Sequence, residues 1–138
     1  MEPGCTVHKL VADIAVFSGS KVLFVKYRDV ARYDGQRGWF LPDDFLAHEE
    51  HPQDAVKRIA REQTGVGLGD VRLSHIESFG NGAWHLIFHY RADITGPPKT
   101  KPGPNIAAIE WFDRSKLPAH SDFAHDGWAI EVLKAMGA

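Results

Sequence analysis

Apolar positions in this chain come in short blocks broken by glycine, proline and charged residues. The first two blocks, KLVADIAVF (Lys9–Phe17) and KVLFVKYR (Lys21–Arg28), are rich in β-branched and aromatic residues and flank Ser18-Gly19-Ser20, a hairpin signal. DVARYDGQRG (Asp29–Gly38) reads as a polar loop. WFLP (Trp39–Pro42) predicts a short strand that ends at Pro42, because proline has no N–H to give to a ladder. The period then changes to that of a helix. Ala55, Val56, Ile59 and Ala60 form an apolar stripe, Pro52 suits the first helical position, and His51 is the predicted N-cap. Asp54 stands in the first turn, where an acid is favoured, and Gly65 is a natural stop. VRLSHIESF (Val71–Phe79) and AWHLIFHYRADI (Ala83–Ile94) flank Gly80-Asn81-Gly82 and predict a second hairpin. TGPPKTKPGP (Thr95–Pro104) holds four of the eight prolines, which makes it a rigid, exposed loop. AAIEWF (Ala107–Phe112) is a strand, and DRSKLP (Asp113–Pro118) a connection. A last helix from about Asp126 to Met136 buries Ala129, Val132, Leu133 and Met136, with Gly137 as its stop. Strands, one helix, more strands and one helix describe an α+β fold with a mixed sheet packed between helices.

Composition narrows this picture. The 138 residues suit one domain with one core, and 43% hydrophobic with 25% charged residues is ordinary for a water-soluble globular protein. The net charge is −2 with both signs interspersed, so no basic stripe calls for a nucleic-acid partner. Cys5 is the only cysteine, which excludes an internal disulfide and fits a reducing compartment. The start MEPGCTVHKL lacks the pattern of a signal peptide, and apolar runs such as VLFV are too short to span a bilayer. A cytoplasmic protein without a membrane partner is the expectation, with a homodimer left open.

The chemistry concentrates in Leu41–Val66, LPDDFLAHEEHPQDAVKRIAREQTGV. This stretch resembles the signature box of the Nudix hydrolase family, which runs Gly, five residues, Glu, seven residues, then Arg-Glu-apolar-x-Glu-Glu-x-Gly-apolar. With Gly65 as anchor, Glu50 matches the first Glu, Arg58 the Arg, Ala60 the apolar position, and Glu62 the first of the paired Glu residues. Gly65 and Val66 close the box. Asp44 stands in place of the first Gly, Ile59 in place of the Glu after the Arg, and Gln63 in place of the second paired Glu. Trp39 to Pro42 before the box, and Trp111, Phe112, Leu117 and Pro118 after it, resemble the family's flanking motifs. The resemblance covers residues 8 to 136 without a gap and implies the Nudix-like αβα sandwich.

It also implies a reaction: magnesium-assisted hydrolysis of a diphosphate bond, manganese serving as a substitute. Magnesium neutralises charge on the leaving phosphate and takes hard oxygen ligands. Helix positions 59, 62 and 63 share one face, so acids there would converge on one ion; here Glu62 alone carries a charge. The resemblance makes Glu62 and Arg58 the catalytic candidates, Arg58 orienting the acids. Glu62, Glu50, Asp43, Asp44 and Gln63 are the metal candidates, with Asp43-Asp44 either supplementing the lost acids or simply forming a tight turn after Pro42. Asn105 and Ala108 occupy positions where family members often carry further acids.

Each candidate has a plainer reading beside it. Ile59 extends the apolar stripe, Glu62 can be a solvated helix charge, and His48-x-x-His51 is an exposed loop and a cap before it is a metal site. His85 and His89 alternate with apolar residues, which reads first as a half-exposed strand face and otherwise as a ligand-facing wall. Lys26, Arg28 and Arg32 suit phosphate oxygens or a solvated edge. Of Trp39, Phe79, Trp84 and Trp111, at most one is expected to stack on a base, the rest being core. Lys26, Arg28, Trp39, Phe79 and His85 are the substrate-binding candidates. The expected function is a Nudix-type hydrolase of a nucleoside diphosphate-linked or related compound with weakened or rewired magnesium chemistry. The rivals are a non-catalytic binding or protein-interaction module, and last a metal-independent His/Asp chemistry.

Overall fold

The computed structural model describes residues 8–80 and 82–138. Cys5 and Asn81, the centre of the second expected hairpin turn, lie outside them. Six strands form one mixed sheet: β1 (His8–Ser18), β2 (Lys21–Tyr27), β3 (Asp43–Phe45), β4 (Arg72–Gly80), β5 (Trp84–Ile94) and β6 (Ile106–Asp113). Two helices, α1 (Pro52–Thr64) and α2 (Trp128–Ala135), cover its two faces. The spatial order is β4-β5-β1-β2-β6, and β3 pairs β1. No helix among the described residues is long and apolar enough to cross a membrane.

β1 is central because it is apolar on both sides. Ala12, Ile14 and Val16 pack with Ala55, Val56, Ile59 and Ala60 of α1. Ala15 and Phe17, pointing the other way, pack with Phe24, Ala129, Val132 and Leu133 under α2. One long edge of β1 runs parallel to β5 from His8 beside Trp84 to Ser18 beside Ile94. The other edge is divided. Phe17 and Ser18 pair with β2, whereas Val11 to Asp13 pair with β3.

Between those two partners lies the first correction. WFLP is not a strand ending at Pro42; Trp39 and Phe40 make only isolated bridges to Phe123 and Val25, and the ladder begins after the proline. Pro42 contributes the one group it has, its carbonyl accepting from Ile14 N at 3.1 Å. Asp43-Asp44 accordingly lie in β3 and do not form a turn. The backbone reversal before α1 sits instead at Glu49, with φ 61°.

Helix α1 follows the sequence closely. His51 Nδ1 accepts from Gln53 N at 3.0 Å, Pro52 opens the helix and Gly65 closes it at φ 73°. The proline-rich segment is less free than expected. Lys101 N donates to Thr64 O and Gly103 N to Gln63 O, so the segment caps the end of α1. α2 starts two residues later than the periodicity suggests, because His125, Asp126 and Gly127 all have positive φ. Met136 is only partly buried, while Ala129, Val132 and Leu133 are in the core.

Candidate functional site

Side chains that face each other across a sheet point to the same side, so the register assembles the site's floor. His75, His89, Asp13 and Asp43 form one row across β4, β5, β1 and β3. Glu77, Ile87, Val11 and Phe45 form the next, followed by Phe79, His85 and Lys9. Over Asp43, Ile87, Val11, Phe45 and the Phe79, His85 and Lys9 row the chain leaves a cavity of about 690 Å³, also lined by Tyr33, Arg32, His125 and Trp128. That volume is in the range of small-molecule sites.

The cavity wall is aromatic with polar atoms set into it. Phe79 and His85 stack at 4.8 Å with their planes 6° apart, and His85 Nδ1 is buried without a hydrogen-bond partner among the described residues. Trp128 lies edge-on to His89 and His125. Tyr33 stacks on Tyr27 at 3.7 Å. Asp43 is nearly buried among acids; desolvation first, then Asp13, Asp44 and Asp34, push its carboxyl well above the usual aspartate range.

Beneath Asp43 the backbone is locked in a small ring. Tyr27 Oη accepts from Asp43 N (3.0 Å) and donates to Gln63 Oε1 (2.8 Å), and Gln63 Nε2 donates to Asp43 O (2.7 Å). Both amide atoms of Gln63 are therefore engaged. Ile59, four residues earlier, is 0% exposed in the core. Glu62 is the remaining member of that helix face. Its side chain is 57% exposed, and its Oε1 accepts from Arg58 Nη1 at 2.9 Å.

Arg58 is the hub of the box. Its Nε and Nη2 donate to the two oxygens of Glu50 at 2.9 and 3.0 Å, and Nη2 also reaches Phe45 O. These bonds hold the Glu50 carboxyl below its ordinary value, chiefly through Arg58. Asp44 lies 3.9 Å from Arg58 and accepts from Arg32 Nη2 at 2.8 Å. The network brings Glu50, Arg58, Glu62 and Asp44 together, but each acid faces a guanidinium. Magnesium needs several oxygens free to converge. With Ile59 in the core, Gln63 engaged and Glu62 and Glu50 held by Arg58, the residues present on the helix do not fit the three-acid chelate. No three ligands converge there among the described residues.

Of the substrate-binding candidates, Phe79 and His85 line the cavity and the other three do not. Lys26 Nζ sits 4.6 Å over the Trp39 ring, and Trp39 packs edge-on against Phe112. Arg28 lines a separate open groove with Arg61, Glu62 and Lys101. Asn105, at a position where the family often has an acid, instead pairs with the backbone of Asp29 through both amide atoms.

Sequence reasoning passed over Lys9, Tyr33 and Trp128, and it read His89 first as part of a half-exposed strand face and otherwise as a ligand-facing wall. His89 is not on a half-exposed face: it is fully buried, with Nδ1 2.7 Å from Asp13 Oδ1 and Nε2 2.6 Å from Glu77 Oε1. Burial opposes its charge, but the hydrogen bonds and charges of Asp13 and Glu77 prevail and its pKa is raised. The available signal was Asp13 itself, a lone acid inside an otherwise apolar central strand, which demands a buried partner.

The profile of the NUDIX domain matches residues 7–135. A Caenorhabditis elegans protein named as nudix hydrolase 1 is 30% identical over 83 residues, 59% of this chain; the chain spans about a fifth of that relative, 22% of its length. The solved MutT NUDIX hydrolase of Burkholderia pseudomallei superposes with a TM-score of 0.76 at 20% identity, over 93% of this chain and 97% of that one. The NUDIX domain of Shewanella oneidensis NrtR, solved with ADP ribose, also gives 0.76 at 17% identity, over 98% of this chain and 90% of that one.

Proposed function

The chain belongs to the NUDIX family, and on that premise we propose that it binds a nucleoside diphosphate-linked compound in the cavity between the sheet and α2, without the usual helix-bound magnesium. The observation that carries this reading is the division of the molecule: an aromatic cavity is open while the helix face is closed by Ile59, Gln63 and Arg58. The Phe79–His85 stack offers a flat apolar surface to a base. His85 Nδ1 has no hydrogen-bond partner among the described residues, and Lys9 and Arg32 in the lining supply cations for phosphate oxygens. The ADP ribose bound by the NrtR domain makes that compound the first to try.

Arg58, Glu50 and Glu62 have a positioning task here. They fix the segment from Phe45 to the start of α1, and so the cavity edge at Asp43 and Asp44. A second reading, hydrolysis of the same class of compound, is favoured by the survival of Arg58, Glu50 and Glu62 in one connected network. When bound, a divalent ion would supply charge neutralisation at the leaving phosphate; Glu62 is the residue with exposed carboxylate to offer it.

Calorimetric titration with ADP ribose, with and without magnesium, decides between them when paired with product analysis. Binding without magnesium and without turnover is the expected result. Phe79→Ala should weaken it about 2- to 10-fold with little change in stability, since Phe79 is 42% exposed. Turnover that requires magnesium and disappears in Glu62→Gln would replace the first reading by the second. No binding of any nucleoside diphosphate compound would remove both.

A further inference from the structure

We infer that His75, Glu77 and His89 form a binding site for a late first-row divalent metal of the zinc class, with Asp13 as its buried support. One ligand atom from each of the three lies within 4.8 Å of the others. The sheet makes this convergence. A bulge in β4 between Leu73 and His75 sets His75 directly opposite His89, and Glu77, two residues on, points to the same face. The two imidazoles lie 4.6 Å apart, and His89 Nε2 is 2.6 Å from Glu77 Oε1.

The atom that sits between His89 and Glu77 decides the chemistry of the cluster. Asp13 Oδ1 lies 2.7 Å from His89 Nδ1, so an ionised Asp13 accepts the Nδ1 proton. A neutral His89 then aims the lone pair of Nε2 at a carboxylate oxygen. Two acceptors 2.6 Å apart require a cation between them, either a proton or a metal. A zinc ion with bonds of about 2.0–2.2 Å in tetrahedral geometry places ligand atoms about 3.3 Å apart. That spacing lies between the 2.6 Å of the present pair and the 4.8 Å bound of the group.

The surroundings match a metal centre in a second respect. A ligating histidine usually gives its other ring N–H to a carboxylate, which orients the ring and raises its basicity. Asp13 is fully buried in β1 and does this for His89; its second oxygen, Oδ2, has no partner among the described residues. An acid in so apolar a strand is costly unless it works through another group. The donor set selects the metal class: two imidazole nitrogens and one carboxylate oxygen suit zinc, cobalt or nickel, whereas magnesium prefers oxygen alone. Three protein ligands leave a fourth position for water, and Glu77 and His75, both partly exposed, give the ion its way in. Glu77 Oε1 also accepts from Trp128 Nε1 at 3.2 Å, so an ion held here would tie β4 to the cavity wall at the start of α2.

The test uses the full chain stripped with a chelator and titrated with Co²⁺, whose visible absorption reports low-symmetry coordination. One equivalent of Co²⁺ should bind with a visible band, be displaced by Zn²⁺, and persist under excess Mg²⁺. His75→Ala and Glu77→Gln should each lose the band and weaken binding at least 10-fold, with far-ultraviolet circular dichroism unchanged. Asp13→Asn should weaken it about 10- to 100-fold. The double variant His48→Ala/His51→Ala should bind as the parent does. Absence of a stoichiometric band, its survival in His75→Ala and Glu77→Gln, or its loss in the His48/His51 variant would each overturn the site.

Discussion

Gln63 donates to the Asp43 carbonyl and accepts from Tyr27, so its two amide atoms have opposite tasks. A carboxylate in its place would set an acceptor against that carbonyl. Gln63→Glu restores a charge that the family places there, yet it is expected to lower stability by about 1–3 kcal/mol, read as a lower urea midpoint at unchanged slope. Asp43 gives a pH signature. Its carboxyl, with an ordinary value of 3.8, is pushed well up by burial and by Asp13 and Asp44. The folded protein keeps a proton that the unfolded chain has released. This contribution to stability is complete below the ordinary value and is lost as pH rises toward the folded one. Asp43→Asn should therefore melt higher than the parent at about pH 7 and converge with it near about pH 4, in thermal scans across that interval. At this scale the sequence tells which atoms a residue owns but not who meets them. Ile59 was legible as core from its stripe, because helical spacing is local. Gln63 was not, because Tyr27 lies 36 residues away.

Helix α1 is the element most fully written in the chain: cap, first-turn proline, stripe and terminal glycine all carry local signals, and all are realised. β3 is the counter-case. Its pairing partner is β1, some thirty residues upstream, and nothing near Pro42 announces that the ladder starts after the proline. The proline-rich segment was legible as irregular but not as a cap. Gly103 carries that docking: a Cβ there would collide with the Glu62 carbonyl oxygen. Gly103→Ala must push the segment off the helix, at a cost of about 1–3 kcal/mol. Faster hydrogen exchange at the amides of Lys101 and Gly103 would be the local reading, since both are bonded to the end of α1.

Across the whole molecule, the class of fold and its layers were legible because the helices and the longer strands betray their own period. The cavity was not, since it arises from the register of four strands whose lining residues are scattered from Lys9 to Ile87. The expected ligand should act on the entire domain. A compound bound at a hundred times its dissociation constant adds about 2.7 kcal/mol to stability. For a chain of this length that is a rise of roughly 8–12 °C in melting temperature, measurable by scanning fluorimetry with ADP ribose and absent in a variant lacking the Phe79 and His85 rings.

The long parallel pairing of β1 with β5 joins positions such as Asp13 and His89, 76 residues apart. During synthesis, β1 leaves the ribosome well before β5, its principal neighbour, exists. Until then the β1 edge that pairs with β5 keeps its backbone groups open. Such non-local closure slows folding and leaves a sticky nascent segment, so this protein should depend on chaperone shelter in the cell more than its modest length suggests.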